Sequence, residues 1–415
     1  MKKIIIAVSL LAVMASCAKE RVPQEFTKGI DPEMLGVSKE SIANLEATLE
    51  SFVNDKKVPC VTAFVAKGGN VVYEKSFGHK DLETMAPAEI DDIYVLFSQT
   101  KAIVAVAFMT LYEQGLVKLD DPISKWIPGF SDTVITGFDE ETGEWTMVEA
   151  ERPAQVGDFL CHSSGYLAPN TNRYLRSLTD RPVVDRSTVG NVVESNKEYP
   201  LGFQPGSDWN YNYDMDVIAY LIEIVTGKTL QEYLKEVIFE PLGMDYTAYY
   251  YDDMSLLPRV VKTYRKDGDD FVLNNFFGAR SIFEGPKTYA GGTYGLYGPI
   301  EDYAKFCQMM LNKGAFNNHR ILKEETVDLM LQNRLPEVNS GGEGFQFGIG
   351  FELFGNPNKK KVPQMSSSSF RWAGAAGTEY LVDPENDLVI LYYISMWGDT
   401  NTYTTYLDAV YKMFE

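Results

Sequence analysis

A chain of 415 residues with a formal net charge of −20 is long enough to bury a large core, and length alone suggests two or three domains. The acidic balance argues against nucleic acid or an anionic membrane surface as partner, because the basic footprint such partners need is missing. The 3 histidines (His79, His162, His319) lack metal-ligand spacing and the 4 cysteines form no C-x-x-C, so neither a metal nor a zinc-enzyme mechanism is expected.

At the N-terminus, Lys2-Lys3, the apolar run Ile4 to Met14 and then Ala15-Ser16-Cys17 read as a targeting segment, too short to span a membrane as a mature helix. Small residues leading to a cysteine resemble the lipobox of bacterial lipoproteins. That resemblance implies a lipoprotein signal peptide over 1–17, lipidation of Cys17, and a membrane-anchored protein facing the periplasm or the cell surface. An ordinary signal peptide is the alternative. Cys60, Cys161 and Cys307 then remain, an odd set expected as buried free thiols.

Residues 18–37 are polar, with Pro23, Gly29 and Pro32, and read as a tether. Ile42, Leu45, Leu49 and Val53 recur at helical spacing and predict an amphipathic helix over 38–54. Val61 to Ala66 and Val71 to Phe77 flank Gly68-Gly69, a hairpin signal. An apolar helical pattern starts at Ser98 and stops near Gly115. The stretch 130–149 reads as loop. Further helices are predicted over 216–225, capped by Asp216 and stopped by Gly227, and from a Thr229/Glu232 capping box to Pro241. Another runs over 300–312. Strands 380–382 and 388–394 flank the turn Asp383-Pro384-Glu385-Asn386, and a closing helix covers 402–414. Strands at both ends with helices between predict an α/β fold of the α+β type, in which an antiparallel sheet flanked by helices carries an inserted, mostly helical lobe. The sheet lobe is expected over 38–95 and 286–415, the helical lobe over 96–285.

The stretch Ser98-Gln99-Thr100-Lys101 carries chemistry. A hydroxyl and an amine three residues apart share one helix face, close enough to hydrogen-bond. Such an amine can take the hydroxyl proton as the oxygen attacks a carbonyl, which makes a serine nucleophilic without histidine. The bland alternative for Ser98 is a helix N-cap. As a capping box it is poor, since Lys101 stands where Glu or Gln is wanted, and a lysine in the first turn opposes the helix dipole.

Several stretches together resemble the serine beta-lactamase-related hydrolases: class C beta-lactamases, D-aminopeptidases, D-Ala-D-Ala carboxypeptidases and lactamase-fold esterases. The resemblance covers residues 38 to 412. Ser98 to Lys101 looks like the family's S-x-x-K element. Leu160-Cys161-His162-Ser163-Ser164-Gly165 is similar to its L-L-x-H-T-S-G segment, which implies packing rather than catalysis for His162. Glu240 to Met244 and the glycine-rich Gly291 to Leu296 match as scaffold. Tyr211, after Pro205-Gly206, falls where the family has the tyrosine of Y-x-N, a proton relay beside serine and lysine. Tyr213 stands where asparagine is usual. Trp372-Ala373-Gly374-Ala375 falls at the family's K-T-G or H-x-G strand, with Trp372 in place of the cation. The resemblance implies a substrate strand at Trp372 and Gly374, and an oxyanion hole from the backbone N–H groups of Ala375 and Ser98.

The implied enzyme is a serine hydrolase that cleaves small esters or peptide-like amides through an acyl-enzyme, with no cofactor and no metal. Its partner is a small-molecule substrate in the bacterial cell envelope. Tyr213 and Trp372 favour an esterase over a D-Ala-D-Ala carboxypeptidase, D-aminopeptidase or beta-lactamase. A catalytically silent binding module on the same fold is the alternative from another class.

Overall fold

In the strand Cys60–Lys67 (β1), Cys60 to Ala66 are buried on both faces, because alternate residues feed two cores. Val61, Ala63 and Val65 pack with Leu45, Leu49 and Phe52 of the Lys39–Asn54 helix and with Leu407 and Val410 of the closing Thr402–Lys412 helix. Cys60, Phe64 and Ala66 face the opposite way, into the core built around the Thr100–Glu113 helix. Leu388–Ile394 alternates in the same manner. A computed structural model describes residues 25–167, 184–274, 280–337, 339–398 and 400–415. The expected signal segment, with Cys17, lies outside them.

The main sheet has eight strands. In chain order they are β1, Asn70–Asp81 (β2), Ala86–Pro87 (β3), Gln346–Phe347 (β4), Glu352–Leu353 (β5), Phe370–Gly374 (β6), Thr378–Asp383 (β7) and Leu388–Ile394 (β8). Their spatial order is β4-β5-β6-β7-β8-β1-β2-β3, antiparallel throughout. The join between β8 and β1, with Val61 opposite Ile394, unites the two ends of the chain in one sheet. The fold is therefore the predicted antiparallel sheet flanked by helices, with mostly helical chain between its halves. The Thr100–Glu113 helix is buried all round from Thr100 to Leu111, as a helix with no polar face must be. No helix among the described residues is long and apolar enough to cross a membrane.

Four local expectations change. The stretch 130–149 is a hairpin, Thr133–Phe138 against Trp145–Glu149. Its strands lie at the surface, so the apolar alternation that marks a strand is diluted, and Asp139 Oδ1 closes the turn by accepting the amides of Glu141 (2.8 Å) and Thr142 (3.1 Å). Residues 25–37 of the expected tether are docked. Phe26 packs on Phe64 and Phe316, and Lys28 pairs with Glu74 and Glu301. Pro241 does not itself end the helical path that begins at Leu230, which runs one residue further to Leu242 and stops at Gly243, whose φ of 65° is left-handed. Asp216 is not a cap, since the Asp214–Thr226 helix starts two residues earlier.

The sheet meets the nucleophile segment at Gly374. A methyl group there would lie 2.4 Å from the Leu96 carbonyl oxygen and 2.1 Å from Thr378 Oγ1, so only glycine lets β6 end against the chain entering Ser98. Gly374→Ala should lower the stability to urea by about 1–3 kcal/mol, as forced overpacking does. An unchanged unfolding midpoint would mean that the strand end can move aside freely.

Candidate active site

Ser98 sits in a single 3-10 turn, Phe97–Gln99, that runs directly into the Thr100–Glu113 helix. It caps nothing: no side-chain hydrogen bond closes the N-terminus of either element. Phe97 is held at a φ of 46°, a left-handed backbone that an aromatic residue adopts only under constraint. The constraint is visible on both sides. Leu96 N–H donates to the Leu296 carbonyl (2.9 Å); Gln99 accepts from Tyr303 at its carbonyl (2.9 Å) and from Tyr393 at its side chain (2.7 Å).

Lys101, 1 % exposed, extends its amine to Ser98 Oγ at 3.1 Å and to the Thr293 carbonyl at 2.8 Å, and lies 4.5 Å from the centre of the Tyr211 ring. Thus Ser98, Lys101 and Tyr211 converge although Tyr211 is more than a hundred residues away in sequence. The Tyr211 oxygen accepts a hydrogen bond from Trp372 Nε1 at 3.1 Å. An indole N–H can only donate, so the phenol keeps its own proton for another acceptor. Trp372 therefore acts on Tyr211. Ala375, expected at the oxyanion hole, lines one cavity of about 240 Å³ with Ser98, Lys101 and Tyr211, whereas Trp372 and Gly374, expected as the substrate strand, are not among its lining residues. Gly374 is buried behind it, in contact with the Leu96 carbonyl.

Two features of the site were not legible in sequence. Thr293 was read as part of a glycine-rich scaffold, yet its carbonyl is a partner of the lysine. The glycines explain how: a methyl group on Gly292 would fall 1.8 Å from the Met215 carbonyl oxygen, so the turn rests directly on the Asp214–Thr226 helix. There Asp216 accepts the Thr293 N–H (2.8 Å) and the Tyr289 hydroxyl (3.0 Å). The second feature is the cavity wall: Phe97, Tyr294 and Trp397 join Tyr213 of the tyrosine motif in an aromatic surface. Asn212, the amide inside the tyrosine motif, is spent on the backbone of Tyr166 and Asp214.

His162 is buried at 5.0 Å from the Tyr211 ring, with Nδ1 3.1 Å from Asp214 Oδ2. Burial, with the Lys101 charge adding to it, holds the imidazole well below its ordinary pKa, and burial holds Asp214 well above the carboxylate range. The pair packs behind Tyr211. Cys60, Cys161 and Cys307 are free and buried; burial pushes the Cys161 thiol up to about 11, which leaves it inert.

A family model described as Beta-lactamase matches residues 45–410. The chain belongs to the beta-lactamase family. Among its relatives, the "Putative D-alanyl-D-alanine carboxypeptidase" of Escherichia coli strain K12 is 26% identical over 414 residues, covering 94% of this chain and 90% of that one. Esterase EstB of Burkholderia gladioli is 25% identical over 386 residues, 87% of this chain and 92% of the relative. The simvastatin synthase LovD of Aspergillus terreus has the same fold, with a TM-score of 0.77 at 22% identity over 91% of this chain and 100% of that one. This member of the beta-lactamase family thus has a serine-hydrolase-type fold shared with esterases and carboxypeptidase-like proteins.

Asp216 gives a pH test of this geometry. Burial raises its pKa, offset only in part by the hydrogen bonds from Thr293 and Tyr289 and by the Lys101 charge. The folded state then holds a proton that the unfolded chain has already lost, so this contribution to stability declines as pH rises from about 4. Asp216→Asn keeps an acceptor for the Thr293 N–H and cannot ionise. Urea midpoints measured from about pH 4 to 8 should show the variant gaining on the parent as pH rises. A difference independent of pH would mean an ordinary carboxylate.

Proposed function

We propose that this protein is a serine hydrolase acting on small esters, in a mechanism carried by Ser98, Lys101 and Tyr211. The observation that carries the reading is the 3.1 Å approach of the Lys101 amine to Ser98 Oγ inside a cavity that Tyr211 and Ala375 also line. Ser98 Oγ attacks the ester carbonyl while its proton passes to the Lys101 amine. The backbone N–H groups of Ser98 and Ala375 hold the oxyanion, a contribution of about 3 kcal/mol per donor in such sites. As the tetrahedral intermediate collapses, the C–O bond to the alcohol breaks and Tyr211 delivers a proton to the departing oxygen, recovering one from Lys101. Water then attacks the acyl carbon, giving a proton to the same relay; the acyl–Oγ bond breaks, the relay returns the proton to Ser98 Oγ, and the acid is released. The Trp372 N–H stabilises the Tyr211 oxygen whenever it carries negative charge.

A second reading, trimming of D-Ala-D-Ala peptides, is favoured by the Escherichia coli relative. Such substrates end in a carboxylate, and beta-lactam substrates carry one too. Trp372 stands where the family's strand carries a cation for such a carboxylate, and its N–H is spent on Tyr211. That replacement supports neutral esters over both.

Purified protein should hydrolyse 4-nitrophenyl acetate and be labelled by a fluorophosphonate. Ser98→Ala and Lys101→Ala should each lower turnover about 10³-fold, the double variant being little worse because the two act as one unit. Tyr211→Phe should slow turnover about 10²-fold with the fold intact. Folded parent protein that neither turns over esters nor takes the label would favour a silent binding module. Near-additive losses would remove Lys101 as the partner of Ser98.

The localisation proposal rests on sequence alone: an exported lipoprotein anchored through Cys17. Full-length protein should partition with membranes on cell fractionation, and Cys17→Ala should release it to a soluble fraction. Retention of the variant in the membrane would rule out the lipid as anchor.

A further inference from the structure

A second cavity, of about 210 Å³, adjoins the first one. The two share Tyr294 and straddle the same two segments. Val95 lines the second and Phe97-Ser98 the first; Thr293 lines the first and Gly295 the second. None of the residues lining the second cavity is charged, and five of the eleven are tyrosine. Three of those hydroxyls are occupied elsewhere. Tyr249 donates to the Gly291 carbonyl (2.6 Å), Tyr250 to the Tyr289 carbonyl, and Tyr289 to Asp216. With those three hydroxyls spent, a ligand there meets mostly ring and aliphatic surface, with Val95, Ile282 and Pro286 completing the wall, and apolar matter is what such a wall retains.

We infer that this cavity is the acyl subsite, built for an apolar acyl group larger than acetyl. The assignment to the acyl side, which rests on the esterase reading, comes from the position of Tyr211. Its phenol protonates the departing alcohol, so the alcohol lies toward Tyr211 and Trp372. Trp372 is not among the residues lining the cavity of Ser98, whereas Phe97 and Tyr294 are, and Tyr294 is the residue that also lines the second cavity. The substrate class is therefore a neutral ester of an arylalkanoic or medium-length aliphatic acid.

The test holds the leaving group constant. For 4-nitrophenyl acetate, hexanoate and 3-phenylpropionate, each kcat/KM is divided by the rate constant for hydroxide hydrolysis of the same ester. The 3-phenylpropionate and hexanoate should exceed acetate by about tenfold or more, as several buried methylene equivalents provide. Ile282→Trp, which fills the second cavity, should collapse that ratio toward one, whereas a merely structural defect would lower all three esters and leave the ratio standing. A ratio near one in the parent protein, or unmoved in a folded Ile282→Trp or the milder Ile282→Phe, overturns the assignment. Should no ester turn over at all, the esterase reading fails by itself. Calorimetric binding of 3-phenylpropionamide to the parent protein, lost in Ile282→Trp, then still tests the cavity. No binding, or binding indifferent to Ile282, would dismiss it.

Discussion

Burying a primary amine is costly unless its hydrogens find acceptors, and Lys101 is buried at the first turn of a helix that is apolar on every side. Its hydrogen bonds go to a hydroxyl and a backbone carbonyl rather than to a carboxylate. A hydroxyl and a backbone carbonyl satisfy the amine and fix its position beside Ser98 Oγ. Much of the surrounding architecture can be traced to that demand. The Thr293 carbonyl has to stand still to accept, so its own N–H is fixed by Asp216, and Asp216 is fixed in turn by the helix that begins at Asp214.

The same economy governs the approach of the sheet. Ser98 is reached by a chain that pairs with Leu296 on one side and touches Gly374 on the other. Those contacts force Phe97 into a left-handed turn, which aims the next residue at the cavity instead of along the helix axis. Tyr303 and Tyr393 hold Gln99 from the core side. Strain at residue 97 persists because the neighbours on every side over-determine it.

Replacement of a cation by Trp372 changes what the site can recognise. A lysine on that strand offers charge to a substrate carboxylate; the indole offers one N–H, and spends it on Tyr211. The aromatic residues Phe97, Tyr213, Tyr294 and Trp397 then make the remaining surface suited to uncharged groups. In the proposed mechanism, specificity and proton relay are thereby joined in one side chain.

Legibility in the sequence followed the range of the interaction. The Lys39–Asn54 helix, the hairpin at Gly68-Gly69, the Thr229/Glu232 capping box and the turn at Asp383 are local patterns, and each was readable because its cause lies within a few residues. Ser98 and Lys101 belong to this class: three residues on a helix fix their distance. Tyr211 and Ala375 could be named only through resemblance, since nothing near them states what they will face. The Thr293 carbonyl, the role of Asp216, the bond from Trp372 to Tyr211 and the tyrosine-lined second cavity were decided by tertiary structure alone. They depend on backbone groups and ring faces brought together from segments far apart in the chain, and a backbone carbonyl has no residue-type signature by which a sequence could reveal it.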